Sequence, residues 1–590
     1  MKKIILLLIL PLISFAETKL TPIRKLTDQT TEDLQKIDPF YDYMNVTKRP
    51  GKEFGNEFLP NQNEVYKKII LKAEKEFNKI KNTAVDSIEK DTVYLFEEFI
   101  ASSKKYFNKP EYEQVSRLLS VSHLWNRAKA YSDMGAGVAS FPFEIYADFE
   151  NYIDRSNGIP LWVDSYISET KLINKKGYLL SQQNMQHLLE NFESLITEDL
   201  KKSKFYNPIL MAEKTLKKED IEKLEKKYAL AIEKTIFPSI KKMTAFLKTN
   251  MKNTKPEFGL FGLKNGKKFY NDRLEDSTDQ IGLNAEDLHS LGLSEVEKNK
   301  LLITDVKNKM GYSKKTFAEF IKFKSEDSNS YFTNKTDLEK SFRDAEKLVD
   351  SKVRNYFSTI PKTPLELRPI DHLKSPAGSY SGLTDTIDKA YFNYNSADLK
   401  ATSKAETHTL YVHEGVPGHH FQLSINHDLK NQFGKFRGEM YGSTAFVEGW
   451  ALYAEYLGRE MGVYETNEHK LGNYSDDMLR AVRLVVDTGI HSMGWSREKA
   501  IQFMTDNIPE NREGMVTEID RYAVWPGQAL GYKVGQLEII KLRTQAEKEL
   551  GSKFDIKEFH KTVLESGSIN LKLLRIKVAD WIKSTQSKLK

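Results

Sequence analysis

Histidine is scarce in this sequence, 12 among 590 residues, yet three fall within His413-Glu414-Gly415-Val416-Pro417-Gly418-His419-His420. Zinc hydrolases hold one ion with two imidazoles and set a carboxylate beside the first, where it polarises the metal-bound water and shuttles its proton. On a regular helix the two imidazoles stand four apart, with Glu directly after the first. Here the His-Glu pair is intact, but the second imidazole comes late, six residues on at His419 or seven on at His420. Six residues turn an ideal helix through about 600°, off the first face; seven carry the chain about 10 Å along the axis, too far for nitrogen ligands about 2 Å from one ion. Gly415, Pro417 and Gly418 disfavour an unbroken helix. The spacing therefore predicts a two-residue bulge that returns His419 to the metal, with His420 as the alternate ligand.

A third ligand has to come from a neighbouring helix. Phe446-Val447-Glu448-Gly449-Trp450-Ala451-Leu452-Tyr453-Ala454-Glu455 is amphipathic, with its two glutamates one heptad apart on one face. Glu448 follows His419 by 29 residues, enough for a helix, a loop and a return, and reads as the third ligand. Glu455 reads as the carboxylate that orients a ligating imidazole through its other N–H. Arg521, in Arg521-Tyr522-Ala523-Val524-Trp525-Pro526-Gly527-Gln528, is a candidate clamp for a substrate carboxylate, because a guanidinium matches it with two parallel hydrogen bonds. His491 is either a further donor or a satisfied core histidine. Tyr391 and Asn393 belong to the aromatic run Ala390-Tyr391-Phe392-Asn393-Tyr394-Asn395, which has strand propensity and is expected either to offer an edge to an extended peptide or to be plain core.

Four segments together resemble a known family: Ser375-Pro376-Ala377-Gly378-Ser379-Tyr380, His413 through Gln422, Glu448-Gly449-Trp450-Ala451, and Arg521-Tyr522 through Pro526-Gly527-Gln528. They are similar to the bacterial family catalogued as domain of unknown function 885, a distant relative of the thimet-oligopeptidase-like zinc peptidases. The stretched His-Glu-x4-His departs from the pattern of those peptidases. The resemblance implies an all-α, mainly helical, two-lobed body of the gluzincin kind with a deep cleft, a small β element and a peptide-like substrate. Gly531-Tyr532 is similar to the Gly-Tyr step that stabilises the oxyanion in the oligopeptidases, which assigns that role to Tyr532. Glu414 is then the general base that later delivers the proton to the leaving amine.

The elements that must position these groups are helical. Val65, Ile69, Leu71, Ala73 and Phe77 mark an amphipathic helix over Asn63–Asn82, and a second, over Asp220–Lys248, should end or kink near Phe237 because of Pro238. Ser294-Glu295-Val296-Glu297 and Thr336-Asp337-Leu338-Glu339 read as capping boxes, the second followed by the stripe Leu338, Phe342, Ala345, Val349, Val353. The Pro- and Gly-rich segment 358–382 is the clearest internal boundary, dividing a helical region 17–360 from a helical catalytic region 361–590, the two expected to form one integrated fold.

Composition bounds the rest. With 39% hydrophobic and 29% charged residues, and opposite charges mixed to a net +6, the chain is neither a multispan membrane protein nor disordered, and nothing marks it for nucleic acid. Zero cysteines exclude disulfides, thiolate metal ligands and a lipidated N-terminal Cys, so a metal must be held by His, Asp and Glu. Met1-Lys2-Lys3, a twelve-residue apolar run Ile4–Phe15 and small Ala16 make a secretory signal expected to be cleaved after Ala16, which leaves no membrane-spanning segment. The expectation is a periplasmic or secreted Zn2+ peptidase acting on short peptides. A zinc amidase on other amides, or an inactive peptide-binding protein with the same fold, is the alternative.

Overall fold

The structure, a computed structural model, describes residues 20–40, 49–59, 61–137, 141–279, 282–371, 375–383 and 389–587, so the signal reading lies outside the described residues. The chain is mainly helical, with one small three-stranded sheet. No helix among the described residues is long and apolar enough to cross a membrane.

Helix α1 (Gln62–Ile80) buries Ile70, Ala73 and Phe77, whereas Val65 and Leu71 face solvent, so its inward face is narrower than the apolar periodicity suggested. The expected interruption near Phe237 takes the form of a π turn: α2 (Lys218–Ala231) runs through Ile232–Ile236 into α3 (Phe237–Asn250), with Pro238 in the first turn of α3. A wider turn at this point relieves the ladder of the hydrogen bond that proline cannot donate. Ser294 lies in the middle of α4 (Ala285–Lys309), whose real cap is Asn284 with Asp287 closing the box. Helix α5 (Lys335–Asp350) begins one residue before Thr336, capped by Asn334, whose side chain accepts the Asp337 N–H. Asparagine and serine-type caps are of similar strength, and only packing decides between two such residues close in sequence.

The Pro- and Gly-rich segment is not a linker. It contributes two of the three strands, β1 (Leu365–Ile370) and β2 (Gly378–Ser381), which flank β3 (Ala390–Asn395) in the order β1-β3-β2. Strand β3 runs parallel to β1 and antiparallel to β2. It is the central strand, so Tyr391–Asn395 offers no free edge; both edges belong to β1 and β2. One face of β3 meets α5, where Phe342 packs edge-on against Phe392 with ring centroids 4.9 Å apart. Phe392 also meets Tyr411 of α6 (Thr407–Glu414). The sheet thus holds α6 in place through aromatic contacts.

Five further elements surround this unit: α7 (His419–Lys435), α8 (Thr444–Glu460), α9 (Asn467–Ser492), α10 (Arg512–Val524) and α11 (Gly531–Leu550). Helix α9 is buried on almost every side, the environment of a central core helix. Packing does not follow a division at residue 360. One core joins Ile70–Ile100 with residues from Phe332 to Ile582, and another joins Val296 and Ile303 of α4 to Val482 and Val485 of α9.

Helices α8 and α11 approach at glycines. A Cβ on Gly449 would lie 2.5 Å from the Gly535 Cα, and one on Gly535 would lie 1.8 Å from the Ala445 carbonyl oxygen. No side chain fits there. Gly535→Ala is therefore expected to push the helices apart and lower unfolding stability by about 2 kcal/mol, read by denaturant unfolding; a change within experimental error would contradict this packing account.

Candidate metal centre

Helix α6 carries His413 and Glu414 in its last turn and stops there; α7 starts at His419. Between them the chain turns through Gly415 to Gly418, with a cis Val416–Pro417 peptide. A Cβ at Gly418 would lie 2.0 Å from the His413 carbonyl oxygen and 2.3 Å from that of Val412, so the turn folds back onto the end of α6 at a distance only glycine allows. Trp450 of α8 locks it by donating its indole N–H to the Pro417 carbonyl, 2.8 Å. The break is therefore a complete interruption of the helix rather than a bulge within it. Its effect is to bring the His413 and His419 rings to 4.8 Å, nearly perpendicular.

Glu448 of α8 faces both imidazoles. Its Oε2 lies 3.3 Å from His419 Nε2 and 3.7 Å from His413 Nε2, and one ligand atom from each of the three residues falls within 4.8 Å of the others. Oε2 is closed off from solvent and has no hydrogen-bond partner. A buried, unpartnered carboxylate oxygen converging with two imidazole nitrogens is a donor set of the kind Zn2+ takes in three-ligand sites. The residues fit a zinc ion. His420 turns the other way: its Nδ1 lies 3.1 Å from Ser424 Oγ, and its ring packs against Tyr380.

Glu455, one heptad along α8, accepts the His413 Nδ1–H at 2.7 Å and a hydrogen bond from Thr409 Oγ1 at 3.2 Å. That bond fixes the tautomer of His413 and turns its Nε2 toward Glu448. Burial opposes the charge on His413, but the nearby Glu448 carboxylate and the hydrogen bond to Glu455 outweigh it and raise its pKa to about 10. Burial likewise opposes ionisation of Glu448, and the His419 and His413 imidazoles hold its carboxyl well below the usual range. Without metal, the cluster is an imidazolium–carboxylate pair.

Glu414 is partly exposed and makes no hydrogen bond or ion pair among the described residues. Tyr532, in the first turn of α11, is held close to Glu448 by the α8–α11 glycine contact. Burial and the Glu448 charge raise its hydroxyl pKa, partly opposed by Arg483 and Arg521.

Three expected site residues are engaged elsewhere. Arg521 donates from Nε and Nη2 to Glu518 and from Nη1 to Gln528 Oε1 at 2.7 Å, so its fork is not free to clamp a carboxylate. Tyr391 lies under the Arg368 guanidinium, 4.1 Å from ring centroid to Cζ. Asn393 spends its amide on Ser379 O and Ser381 Oγ and its carbonyl on Arg368 Nε. His491 is a core histidine: Nδ1 accepts the Leu260 N–H and Nε2 donates to the Tyr522 carbonyl.

Arg483 was not singled out by any motif. Its guanidinium stacks on the Tyr532 ring at 4.5 Å and donates to Tyr522 Oη and Glu518, while Nη1 is buried without a partner. A signal did exist: Arg480 and Arg483 interrupt an otherwise apolar stretch of α9, and arginines inside a buried helix must serve something.

Because His413 must lose its proton to ligate, zinc uptake by the metal-free protein between pH 7 and 9 is expected to release about one proton per ion. Calorimetry in buffers of different ionisation enthalpy reads this directly; uptake without proton release would contradict the ion pair. Glu455→Gln is expected to weaken zinc binding by about 10- to 100-fold, measured by competition with a chelating dye, and unchanged affinity would remove Glu455 from this role.

Comparison with known proteins gives the following. The family model described as bacterial protein of unknown function (DUF885) matches residues 56–578. No protein of curated function matches the chain in sequence. The crystal structure of a candidate lipoprotein from Colwellia psychrerythraea is similar at a TM-score of 0.85 and 24% identity, over 96% of this chain and 100% of that one. A candidate lipoprotein of unknown function from Shewanella oneidensis is similar at a TM-score of 0.72 and 18% identity, over 94% and 99% of the two chains.

Proposed function

Starting from a chain that belongs to the bacterial family of unknown function DUF885, we propose that it is an exported zinc-dependent peptidase of the gluzincin kind, a distant relative of the thimet-oligopeptidase-like enzymes, acting on short peptides. One observation carries the reading: His413, His419 and Glu448 converge with their ligand atoms within 4.8 Å, and the uncommitted carboxylate of Glu414 stands next to the first of them. A site that only bound peptide would have no use for that base.

Zinc, when bound, supplies a Lewis acid that acidifies water and polarises the amide carbonyl. Glu414 takes the proton of the attacking water and hands it to the leaving amine, a role open to it because no other group claims its carboxylate. Tyr532 keeps its hydroxyl protonated at neutral pH, since burial and Glu448 both disfavour the phenolate, and donates to the oxygen on which negative charge develops. Strand β2 is an edge strand whose Tyr380 reaches α7, with Oη 3.1 Å from Ser424 Oγ, and an extended peptide would add there in place of β3. Export rests on the basic and apolar leader and on the lipoprotein descriptions of the structural neighbours. This chain has no cysteine to lipidate, and the reading is of a periplasmic or secreted enzyme.

The test is hydrolysis of a mixed library of short peptides by the zinc-loaded protein. Glu414→Gln is expected to keep its zinc and lose about 10²- to 10⁴-fold in kcat, and Tyr532→Phe to lower kcat with little change in KM. Turnover unchanged in Glu414→Gln with zinc in place would overturn the mechanism. No hydrolysis of any peptide by the wild type would overturn the peptidase reading.

A further inference from the structure

A second cluster of carboxylates lies two turns before the first zinc ligand. Glu406 caps the start of α6, Asp476 and Glu455 face α9 and its neighbours, and Glu510 sits in the loop before α10. Arg480 is the guanidinium among them, and it is committed: Nη1 pairs with Asp476 and Nη2 lies 3.8 Å from Glu455 Oε1. Glu510 makes no hydrogen bond or ion pair among the described residues. Glu406 accepts only the Ser403 N–H at 3.0 Å and a bond from the Ser403 hydroxyl. Glu455 also accepts from His413, so Arg480 is the guanidinium shared by the other three, Glu406, Asp476 and Glu510.

Glu406 and Glu510 line a small cavity of about 20 Å³, together with Ser330, Ser475, Tyr331 and Lys324. Two hydroxyls in its wall are orphaned. Ser475 is 2% exposed and Ser330 is 8% exposed, and neither Oγ has a hydrogen-bond partner. Lys324 does not fill the role of counter-charge, since its ammonium is held by Glu468 at 3.0 Å and stands 3.7 Å from Asp327. The volume suits one small occupant, since a cavity must exceed roughly 10–15 Å³ to hold a water-sized species. The wall also includes Ser403, Glu468 and the apolar Ala405, Leu471 and Pro509, and the polar groups it leaves uncommitted are oxygens: the Glu510 carboxylate and the two orphaned hydroxyls. Hard cations of the calcium type take six to eight oxygen ligands and accept hydroxyl, carbonyl and water oxygens beside carboxylates; the orphaned hydroxyls alone would equally admit a water.

We propose that this cavity, between Glu406, Glu510, Ser330 and Ser475, is a binding site for a calcium-like divalent cation. Once these carboxyls are ionised a cation is favoured over water, because a neutral occupant leaves their charge uncompensated. Burial raises the carboxyl of Glu406; burial and the Glu406 and Asp476 charges raise that of Glu510; and burial with Glu455 and Glu406, against Arg480, pushes Asp476 to about 7, so a cation competes with protons for these oxygens. The site ties together four stretches of chain: the turn at Ser330, the start of α6 at Glu406, α9 at Ser475 and the loop at Glu510. Its occupant anchors the far end of the helix that presents His413 and Glu414. The inference is independent of the peptidase reading.

Equilibrium dialysis of the full zinc-loaded chain against calcium tests it. The expected result is one Ca2+ per chain, half-saturated at roughly 10⁻⁴ to 10⁻³ M, the range of extracellular sites. Glu510→Gln should weaken uptake at least tenfold. Ser475→Ala, which keeps the charge and the helix, should weaken it by a smaller factor, so the inference stays testable if the first variant folds poorly. Absence of saturable calcium uptake, which would leave a water or a proton in the cavity, overturns the proposal. So does uptake that is the same in the wild type and both variants.

Discussion

A carboxylate oxygen closed off from water is costly to leave without a partner, by several kcal/mol per buried charge. Glu448 Oε2 is in that position, and the architecture around it follows from the need to balance it. Two imidazoles answer from one side, brought there by the break between α6 and α7. Tyr532 and, behind its ring, Arg483 answer from the other. The second arrangement depends on the close approach of α8 and α11. The Gly449–Gly535 contact is therefore part of the site's electrostatics, although neither residue touches a ligand atom.

Helix α9 supplies the next layer. Its polar residues recur at helical spacing along an otherwise apolar cylinder, and most of them reach partners on neighbouring elements. Asp477 pairs with Lys533 at the base of α11, Arg480 with Asp476 and Glu455, Arg483 with Glu518 and Tyr522, and Asp487 with Tyr270 and the Gly527 N–H. A buried polar group must be paired or it destabilises the fold. The stripe therefore specifies how α9 sits against α8, α10 and α11, and so fixes Glu455, the residue that aims His413.

The sequence carried the metal-ligating groups because their chemistry is narrow: few residue types bind zinc, and His-Glu followed by a second imidazole and a later glutamate is a sparse pattern. His419, Glu448 and Glu455 converge where that reasoning put them, and His420 faces Ser424 instead. The mainly helical class was legible from periodicity, as was the inward stripe Leu338, Phe342, Ala345 and Val349. What was not legible depended on contacts between distant segments. Ser294 and Thr336 met the local rule for a cap, yet helices anchored by tertiary packing began at Asn284 and Asn334. The aromatic run at 390–395 was visible as a strand, but its central place could be known only once the proline-rich segment was seen to fold into its two neighbours. Arg521 looked free because Glu518, only three residues away, says nothing in sequence about which way the two side chains turn.

The central claim is that His413, His419 and Glu448, with His420 excluded, hold one zinc ion. Elemental analysis of the purified protein beside His419→Ala and His420→Ala tests it most directly. The account predicts about one zinc per chain in the wild type and in His420→Ala, and none in His419→Ala. Zinc retained in His419→Ala but lost in His420→Ala would contradict the geometry, and a wild-type protein that takes up no zinc would contradict the claim itself.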